Sequence, residues 1–234
     1  LEDMGLKPIS SHHERGPGQN EIDFESADPL SAARNFIMFK SAVKNVCAIN
    51  GAHASFQPRP MPDQPGSGLH LSITLSGKNK EKATKAFAEG VLRRCKEITC
   101  FANPTLNSYS RIMSRKVAYD SVRGLAMRIF GENNNIIQLR TPDSSCNIFA
   151  VLALIFAAGR EGIEGKYELR EAGAGDDRIF DSITEAVAFA RKSKWLHENV
   201  PEQLDNILDS VLSHANAAQK LKSDLELFKY YSDI

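Results

Sequence analysis

The clearest alternation of apolar and polar residues runs from position 69 to position 75. Side chains of a β-strand repeat with a period of two, so every second residue lies on the same face. The predicted apolar face consists of Leu69, Leu71, Ile73 and Leu75, and the predicted polar face consists of His70, Ser72 and Thr74. Gly66-Ser67-Gly68 comes directly before this strand and allows a ligand to approach the backbone. His70 is therefore a candidate metal ligand or phosphate contact, and the alternative is a polar face that meets only water.

Helical patterns account for most of the remaining chain. Asp28 with Pro29 predicts the start of a helix that ends near Ile49, and a second helix is predicted over Lys80–Phe101. Later helices are predicted over Ile148–Ala158, Ser182–Lys192, Pro201–His214 and Ala217–Tyr231. Strands are predicted over Ala118–Ile129 and Ile136–Arg140. Because the strands do not alternate regularly with helices, an α+β fold is favoured over a doubly wound sheet.

A turn-forming sequence, Arg15-Gly16-Pro17-Gly18, separates two predicted short strands, Lys7–Glu14 and Gln19–Phe24. If these four residues close a hairpin, one face carries His12, Glu14, Gln19 and Glu21. Neighbouring carboxylates repel each other unless a cation lies between them, and oxygen ligands favour Mg²⁺ or Mn²⁺ over Zn²⁺. The hairpin is thus a candidate metal site, and the alternative is an ordinary solvated face.

Four arginines follow within about thirty residues that contain few acids: Arg111, Arg123, Arg128 and Arg140. The guanidinium group presents a fixed fork of donors that suits phosphate and carboxylate. A five-residue loop at Gly131–Asn135 would place Arg128 opposite Gln138, whereas a four-residue loop would break that pairing. Both loop lengths are compatible with the sequence, and the alternative to an anion site is a set of solvent-facing arginines.

Composition and charge exclude several classes of function. The chain has 234 residues, 42% of them hydrophobic and 25% charged, which is typical of a globular protein with a buried core. Its 29 basic residues balance 29 acidic residues, so neither nucleic acid nor an anionic membrane is a predicted partner. The four cysteines form no CxxC pair, which indicates reduced thiols and a cytoplasmic setting. No apolar run is long enough to span a bilayer.

Five segments, in the same order along the chain, resemble the glutamine synthetase family. They are Ser11–Glu14 with Gly18–Phe24, Phe56–Pro60, Gly66–His70, Asn103–Arg111 and Leu139–Asp143. The end of the chain, from Phe180 to Tyr231, is also similar to that family's last helices. The resemblance implies an α+β fold in which a curved, mainly antiparallel sheet is backed by helices. It also implies one catalytic-domain unit over residues 1–234, with a helical subregion at 180–234.

The resemblance implies an ATP-dependent ligase. Such an enzyme phosphorylates the side-chain carboxylate of glutamate or a similar acid, and ammonia or an amine then attacks the acyl phosphate. The implied cofactors are ATP and Mg²⁺ or Mn²⁺. The implied metal-binding residues are Glu14, Glu21, His70 and Gln138, and the implied substrate-binding residues are Gly66 and Arg111. The implied nucleotide-binding residues are His12, Thr74 and Arg128, and Arg123 and Arg140 are implied to be catalytic, at the phosphoryl group.

Several positions depart from the family pattern. Gln138 stands where the family has a glutamate at the second metal, and a neutral amide is a weaker ligand for a hard cation than a carboxylate. Pro65 replaces an asparagine that contacts the substrate, and Ser72 replaces a histidine. The segment between Arg111 and Arg123 is shorter than expected and lacks the glutamate-bearing flap. These changes leave two alternatives open, a ligase with a different amine acceptor and a degenerate member that binds nucleotide or amino acid without turnover.

The beginning of the chain also bears on activity. Leu1 to Leu6 is predicted to be the end of a helix stopped by Gly5, so we expect the chain to be cut from a longer protein. Family members have an N-terminal domain with further glutamate ligands and build their sites between subunits. We therefore expect a homo-oligomer for the full-length protein and no activity for this chain alone.

Overall fold

The computed structural model describes residues 1–113, 115–121, 125–175, 177–221 and 223–232, and it has the predicted α+β architecture. The strands are β1 Pro8–His13, β2 Asn20–Phe24, β3 Leu71–Ile73, β4 Tyr119–Asp120, β5 Met127–Phe130 and β6 Ile136–Leu139. The helices are α1 Pro29–Ile49, α2 Lys80–Arg93, α3 Cys95–Ala102, α4 Leu106–Ile112, α5 Ile148–Glu164, α6 Ile183–Lys192, α7 Lys194–Asn199, α8 Leu204–Gln219 and α9 Asp224–Ser232. Short 3₁₀ turns lie at Glu2–Met4 and Glu132–Asn134.

The described strands form two sheets, and their pairing is mainly antiparallel. β1 and β2 form the predicted hairpin, with His12 opposite Glu21, and the backbone N–H of Glu14 donates to the carbonyl of Gln19 at 2.8 Å. The second sheet has the order β3-β6-β5-β4. Arg128 lies opposite Gln138, as the five-residue loop requires. Gln138 in turn lies opposite Ser72, so one lateral row crosses three strands.

The prediction of a single strand over Ala118–Ile129 is wrong. The segment contains two strands, β4 and β5, which pair in parallel. Partners distant in sequence hold β4: the N–H of Val117 donates to the carbonyl of Asp177, and the N–H of Gly173 donates to the carbonyl of Tyr119, each at 2.8 Å. These tertiary contacts override the local pattern. Arg123, which lies between the two strands, falls outside the described residues.

The predicted helices are present, and one of them is divided. Asp28 caps α1 by accepting hydrogen bonds from the backbone N–H groups of Leu30 and Ser31, as its position before Pro29 suggested. The predicted helix over Lys80–Phe101 is two helices, because the chain bends at Arg94, whose guanidinium binds Glu161 on α5. Within the part of the chain that the structure describes, none of the helices has the length and apolar character needed to cross a bilayer.

Helices α2 and α5 pack closely against each other. α2 and α5 approach so closely at Gly90 that an added Cβ would lie 2.2 Å from the carbonyl oxygen of Ala158. The same holds at Gly162, whose added Cβ would lie 2.1 Å from the carbonyl oxygen of Ala86. A larger residue at either position would force the helices apart. This rigid layer supports the four-stranded sheet from one side.

The four-stranded sheet is apolar on one face and polar on the other. The buried face consists of Ile73, Met127, Ile129, Ile137 and Leu139, which belong to the main core. Because side chains alternate along a strand, the opposite face carries Ser72, Arg128 and Gln138. Leu71–Ile73 is shorter than the strand predicted from position 69 to position 75, yet the predicted apolar and polar positions keep their faces. The polar face is where the candidate site lies.

Candidate active site

Two acids and two histidines meet where the hairpin approaches the four-stranded sheet. On the hairpin, His12 Nε2 lies 3.0 Å from Glu14 Oε1 and 3.9 Å from Glu21 Oε2. Glu21 Oε1 lies 3.6 Å from Nδ1 of His70, which comes from the strand after the glycine-rich turn. Glu21 thus touches a histidine on each side. It connects the two sheets through side chains alone.

The electrostatics of the cluster keep Glu21 ionised. The contact with the His70 imidazole, reinforced by Glu14 and His12, lowers the pKa of Glu21 to about 2 although partial burial opposes this shift. A carboxylate that stays charged at any physiological pH is a permanent anion. Beside the second acid, Glu14, it creates a site of negative potential on the hairpin.

The hairpin residues fit a divalent cation. His12, Glu14 and Glu21 offer ligand atoms that all lie within 4.8 Å of one another. Small rotations would bring these atoms to a common ion at the roughly 2.0–2.6 Å that Mg²⁺, Mn²⁺ or Ca²⁺ requires. Two carboxylates with one imidazole suit Mn²⁺ or Mg²⁺. The family resemblance implies that His12 binds the nucleotide, whereas its ring in the structure lies among the predicted metal ligands.

Gln19 fixes the position of the hairpin relative to the glycine-rich turn. Its amide nitrogen donates to Ser67 Oγ at 3.0 Å and to the carbonyl of Gly66 at 3.3 Å. Its amide oxygen accepts the backbone N–H of Gly16 at 3.0 Å. One side chain therefore links the hairpin turn to the segment that leads into His70. Sequence patterns placed Gln19 on the correct face, but this contact depends on two segments about fifty residues apart.

His70, Gln138 and Arg140 lie at the same end of the four-stranded sheet. His70 and Arg140 directly adjoin Leu71 and Leu139, which are paired across β3 and β6. The N–H of Leu69 donates to the carbonyl of Pro142 at 2.9 Å, which holds the two chain segments together beyond the strands. Arg140 donates to Gln138 Oε1 at 2.5 Å. The acids of the hairpin contact His70, and Arg140 with Gln138 follows on the strand paired with the one that His70 precedes.

The remaining predicted nucleotide-binding residues lie along the same polar face. Arg128 donates from Nε to the carbonyl of Ser121 at 2.8 Å, and its guanidinium lies 4.4 Å from the ring centroid of Phe130. Thr74 follows β3 and is exposed. Arg123, predicted to serve the phosphoryl group, lies outside the described residues.

Arg111 is partly buried under the glycine-rich turn. Its guanidinium donates to the carbonyls of Thr141 and Pro142, and more weakly to that of Arg140 at 3.5 Å. Burial lowers the pKa of Arg111 to about 10, which leaves it charged at neutral pH. In this structure Arg111 stabilises the segment that follows β6 through these hydrogen bonds. The predicted contact with a substrate carboxylate stays a prediction.

Arg111 and Pro58 leave no room for a side chain at Gly66. An added Cβ at Gly66 would lie 2.6 Å from Cγ of Arg111 and 2.7 Å from the carbonyl oxygen of Pro58. Because one of these neighbours is backbone, it could not move aside easily. A residue with a side chain would therefore displace the turn that precedes His70.

A buried polar network behind β6 was not predicted. Asn103 donates from its amide to the carbonyl of Thr141 and to Asp143 Oδ2, each at 2.8 Å. Asp143 also accepts the N–H of Ser145 at 3.1 Å. The network holds the same turn whose carbonyls bind Arg111 and Leu69. Asn103 and Asp143 are 40 residues apart in the sequence, so no local pattern could show that they touch.

Comparison with known proteins identifies the architecture. The family model described as "Glutamine synthetase, catalytic domain" matches residues 1–231. The chain belongs to this family. A glutamine synthetase of Pyrococcus abyssi is 33% identical over 88% of this chain and 54% of its own length. A glutamine synthetase of Mycolicibacterium smegmatis is 30% identical over 99% of this chain and 55% of its own length.

Solved structures show the same fold at lower sequence identity. GmaS without ligand superposes with a TM-score of 0.85 at 23% identity, covering 96% of this chain and 59% of that chain. GmaS in complex with ADP gives a TM-score of 0.83 at 22% identity, covering 96% and 60%. The glutamine synthetase catalytic-domain fold is thus shown. The chain spans about half the length of the curated relatives that it matches.

Proposed function

We propose that this chain forms the catalytic domain of an ATP-dependent carboxylate–amine ligase that converts glutamate and ammonia, or another amine, to an amide through an acyl phosphate. The observation that supports it best is the contact between Glu21 and His70 at 3.6 Å, because it joins the acidic hairpin to the arginine-bearing sheet. Phosphoryl transfer from ATP to a carboxylate needs both a cation site and guanidinium groups.

In this proposal each cluster has a distinct task. Glu14, Glu21 and His12 would hold a divalent cation, which would supply positive charge for the substrate and phosphate oxygens. Arg140 would bind the transferred phosphoryl group and Arg128 the nucleotide phosphates, since guanidinium pairs well with phosphate. Gly66 and Arg111 would position the amino-acid substrate. Arg123 and Thr74 stay predicted contacts of the phosphoryl group and the nucleotide.

The test is product formation by the full-length protein. Incubation with ATP, Mg²⁺, glutamate and a set of amines should yield ADP and the amide, detected by mass spectrometry, and omission of glutamate should suppress ADP release. The ratio of products with ammonia and with small alkylamines would define the acceptor, which the replacement at Pro65 leaves open. For this chain without its oligomeric partners we expect nucleotide binding but no turnover. The full-length protein is expected to be a cytoplasmic homo-oligomer.

A second candidate function is a degenerate member that binds nucleotide or amino acid without catalysis. One observation favours it: Gln138 presents a neutral amide, already hydrogen-bonded to Arg140, where the resemblance implies a metal-binding glutamate. Product analysis of the full-length protein separates the two candidates, with calorimetry as the measure of nucleotide binding. Nucleotide binding without any amide product in the full-length protein would support the degenerate reading, and amide formation would exclude it.

A further inference from the structure

Both the oxygen and the nitrogen of the Gln138 side-chain amide form hydrogen bonds. Its oxygen accepts a hydrogen bond from Arg140 at 2.5 Å, and its nitrogen donates to Ser72 Oγ at 3.2 Å. Ser72 is the residue directly opposite on β3. The three side chains form a hydrogen-bonded row across the polar face. This row occupies the place where the family resemblance implies ligands for a second cation.

Arg140 fixes which end of the amide faces it. A guanidinium group only donates hydrogen bonds, so the Gln138 atom next to it must be the oxygen. Rotating the amide by half a turn would place an NH₂ group against a guanidinium, donor against donor. The nitrogen is therefore the end that points toward Ser72, and an amide nitrogen does not bind a cation. The only ligand atom of Gln138 is already in use.

Charge disfavours a second cation as well. The Arg140 guanidinium carries a full positive charge 2.5 Å from the Gln138 oxygen, and the neutral amide does not offset it. His70, the other implied ligand, directly precedes β3, and its Nδ1 lies 3.6 Å from Glu21, which belongs to the hairpin cluster. Among the described residues, a divalent ion at Gln138 would meet a guanidinium and no carboxylate of its own.

We infer that this chain binds a single divalent cation, at His12, Glu14 and Glu21, and that the Arg140–Gln138–Ser72 row takes the place of a second one. The inference deepens the proposed function and rests on it for the meaning of the site. Its physical content is that a fixed guanidinium supplies positive charge where a metal ion otherwise would. The replacements at positions 72 and 138 then act together, since they are hydrogen-bonded partners.

The experiment is a Mn²⁺ titration of the full-length protein, followed by equilibrium dialysis and by electron paramagnetic resonance. We expect one bound Mn²⁺ per chain with the spectrum of an isolated ion. Gln138→Glu should add a second, magnetically coupled Mn²⁺, because a carboxylate has one oxygen for Arg140 and one for the cation. Gln203→Glu, which adds the same charge on the exposed turn before α8, should leave the count at one. Ser72→Ala should also leave it at one, because Arg140 still fixes the amide.

Two coupled Mn²⁺ ions in the unmodified chain would overturn the inference. A count that stays at one in a folded Gln138→Glu variant would also overturn it, since position 138 would then not decide the number of ions. The result is independent of turnover. One bound Mn²⁺ without amide formation by the full-length protein would keep the inference and reject the ligase.

Discussion

The hairpin and the four-stranded sheet meet at His70 with opposite electrostatics. On the hairpin, ligand atoms of two carboxylates and His12 lie within 4.8 Å of one another at the surface. Carboxylates this close repel each other, and a bound cation would relieve the repulsion. On the sheet, the corresponding row holds a guanidinium, an amide and a hydroxyl that are hydrogen-bonded to one another in sequence. The hairpin half of the site therefore needs a bound cation to balance its carboxylates. The sheet half already contains a positive charge, the Arg140 guanidinium.

The largest effect should come from removing an acid of the hairpin. Glu21→Gln keeps the shape of the side chain but removes the anion that contacts both histidines. We expect Mn²⁺ affinity to fall roughly 100-fold or more, since even residues that only orient metal ligands contribute roughly 10–100-fold. Calorimetric titration would measure it. Glu202→Gln, an equal change on an exposed turn, should leave the affinity unchanged. Equal affinity in both variants would place the cation elsewhere.

A side chain at Gly66 should disturb the junction itself. Gly66→Ala places a methyl group 2.6 Å from Arg111 Cγ and 2.7 Å from a backbone oxygen. Overpacking of this kind costs about 1–3 kcal/mol in the free energy of unfolding, which denaturant titration would report. Gly18→Ala is a useful contrast, because nothing lies within 4 Å of its added Cβ and only its φ of +66° opposes the change. A smaller loss at Gly66 than at Gly18 would contradict the close contact with Arg111.

Removing the Gln19 side chain should weaken the link between the hairpin and the glycine-rich turn while leaving the hairpin acids and the sheet arginines in place. Gln19→Ala deletes the hydrogen bonds to Gly16, Gly66 and Ser67. The expected loss of stability is about 1 kcal/mol, the usual net worth of such bonds at a partly exposed position. Hydrogen exchange should show faster exchange at the backbone amides of residues 66–68. Unchanged exchange there would mean that the link does not hold the turn.

The smallest expected effect is on pH dependence. The pKa of Glu21 is lowered from 4.5 to about 2, so its folded-state interactions contribute stability above about pH 4.5. That contribution is lost as the pH falls from about 4.5 toward 2. Because the side chain is about one-third exposed, solvent screening keeps the contribution below about 1 kcal/mol. The stability difference between the unmodified chain and Glu21→Gln, measured without metal, should shrink between pH 5 and pH 3. A difference that grows on acidification would contradict the assignment.

Local sequence rules predicted those parts of the site that short segments determine. The Gly-Pro turn fixed the hairpin register, so His12 and Glu21 were correctly placed opposite each other. The loop after Phe130 was compatible with two registers, and the structure has the one that pairs Arg128 with Gln138. These features depend on neighbours along the chain or on strict alternation.

Other features depend on segments that meet only in the folded chain. The strand predicted over 118–129 is divided, because β4 pairs with β5 in parallel and its segment is hydrogen-bonded to Gly173 and Asp177. Burial turned the predicted substrate contact Arg111 toward the carbonyls of Thr141 and Pro142. The link from Gln19 to Ser67 likewise joins distant segments. No periodicity carries this information.

The claim that the hairpin cation and the sheet arginines serve one site is tested most directly by phosphorus NMR. Mn²⁺ bound to this chain should strongly enhance the relaxation of the phosphorus nuclei of a bound, non-hydrolysable ATP analogue, and Glu21→Gln should abolish that enhancement while the analogue still binds. Binding of the analogue with no enhancement in the unmodified chain would place nucleotide and cation at separate sites and contradict the account.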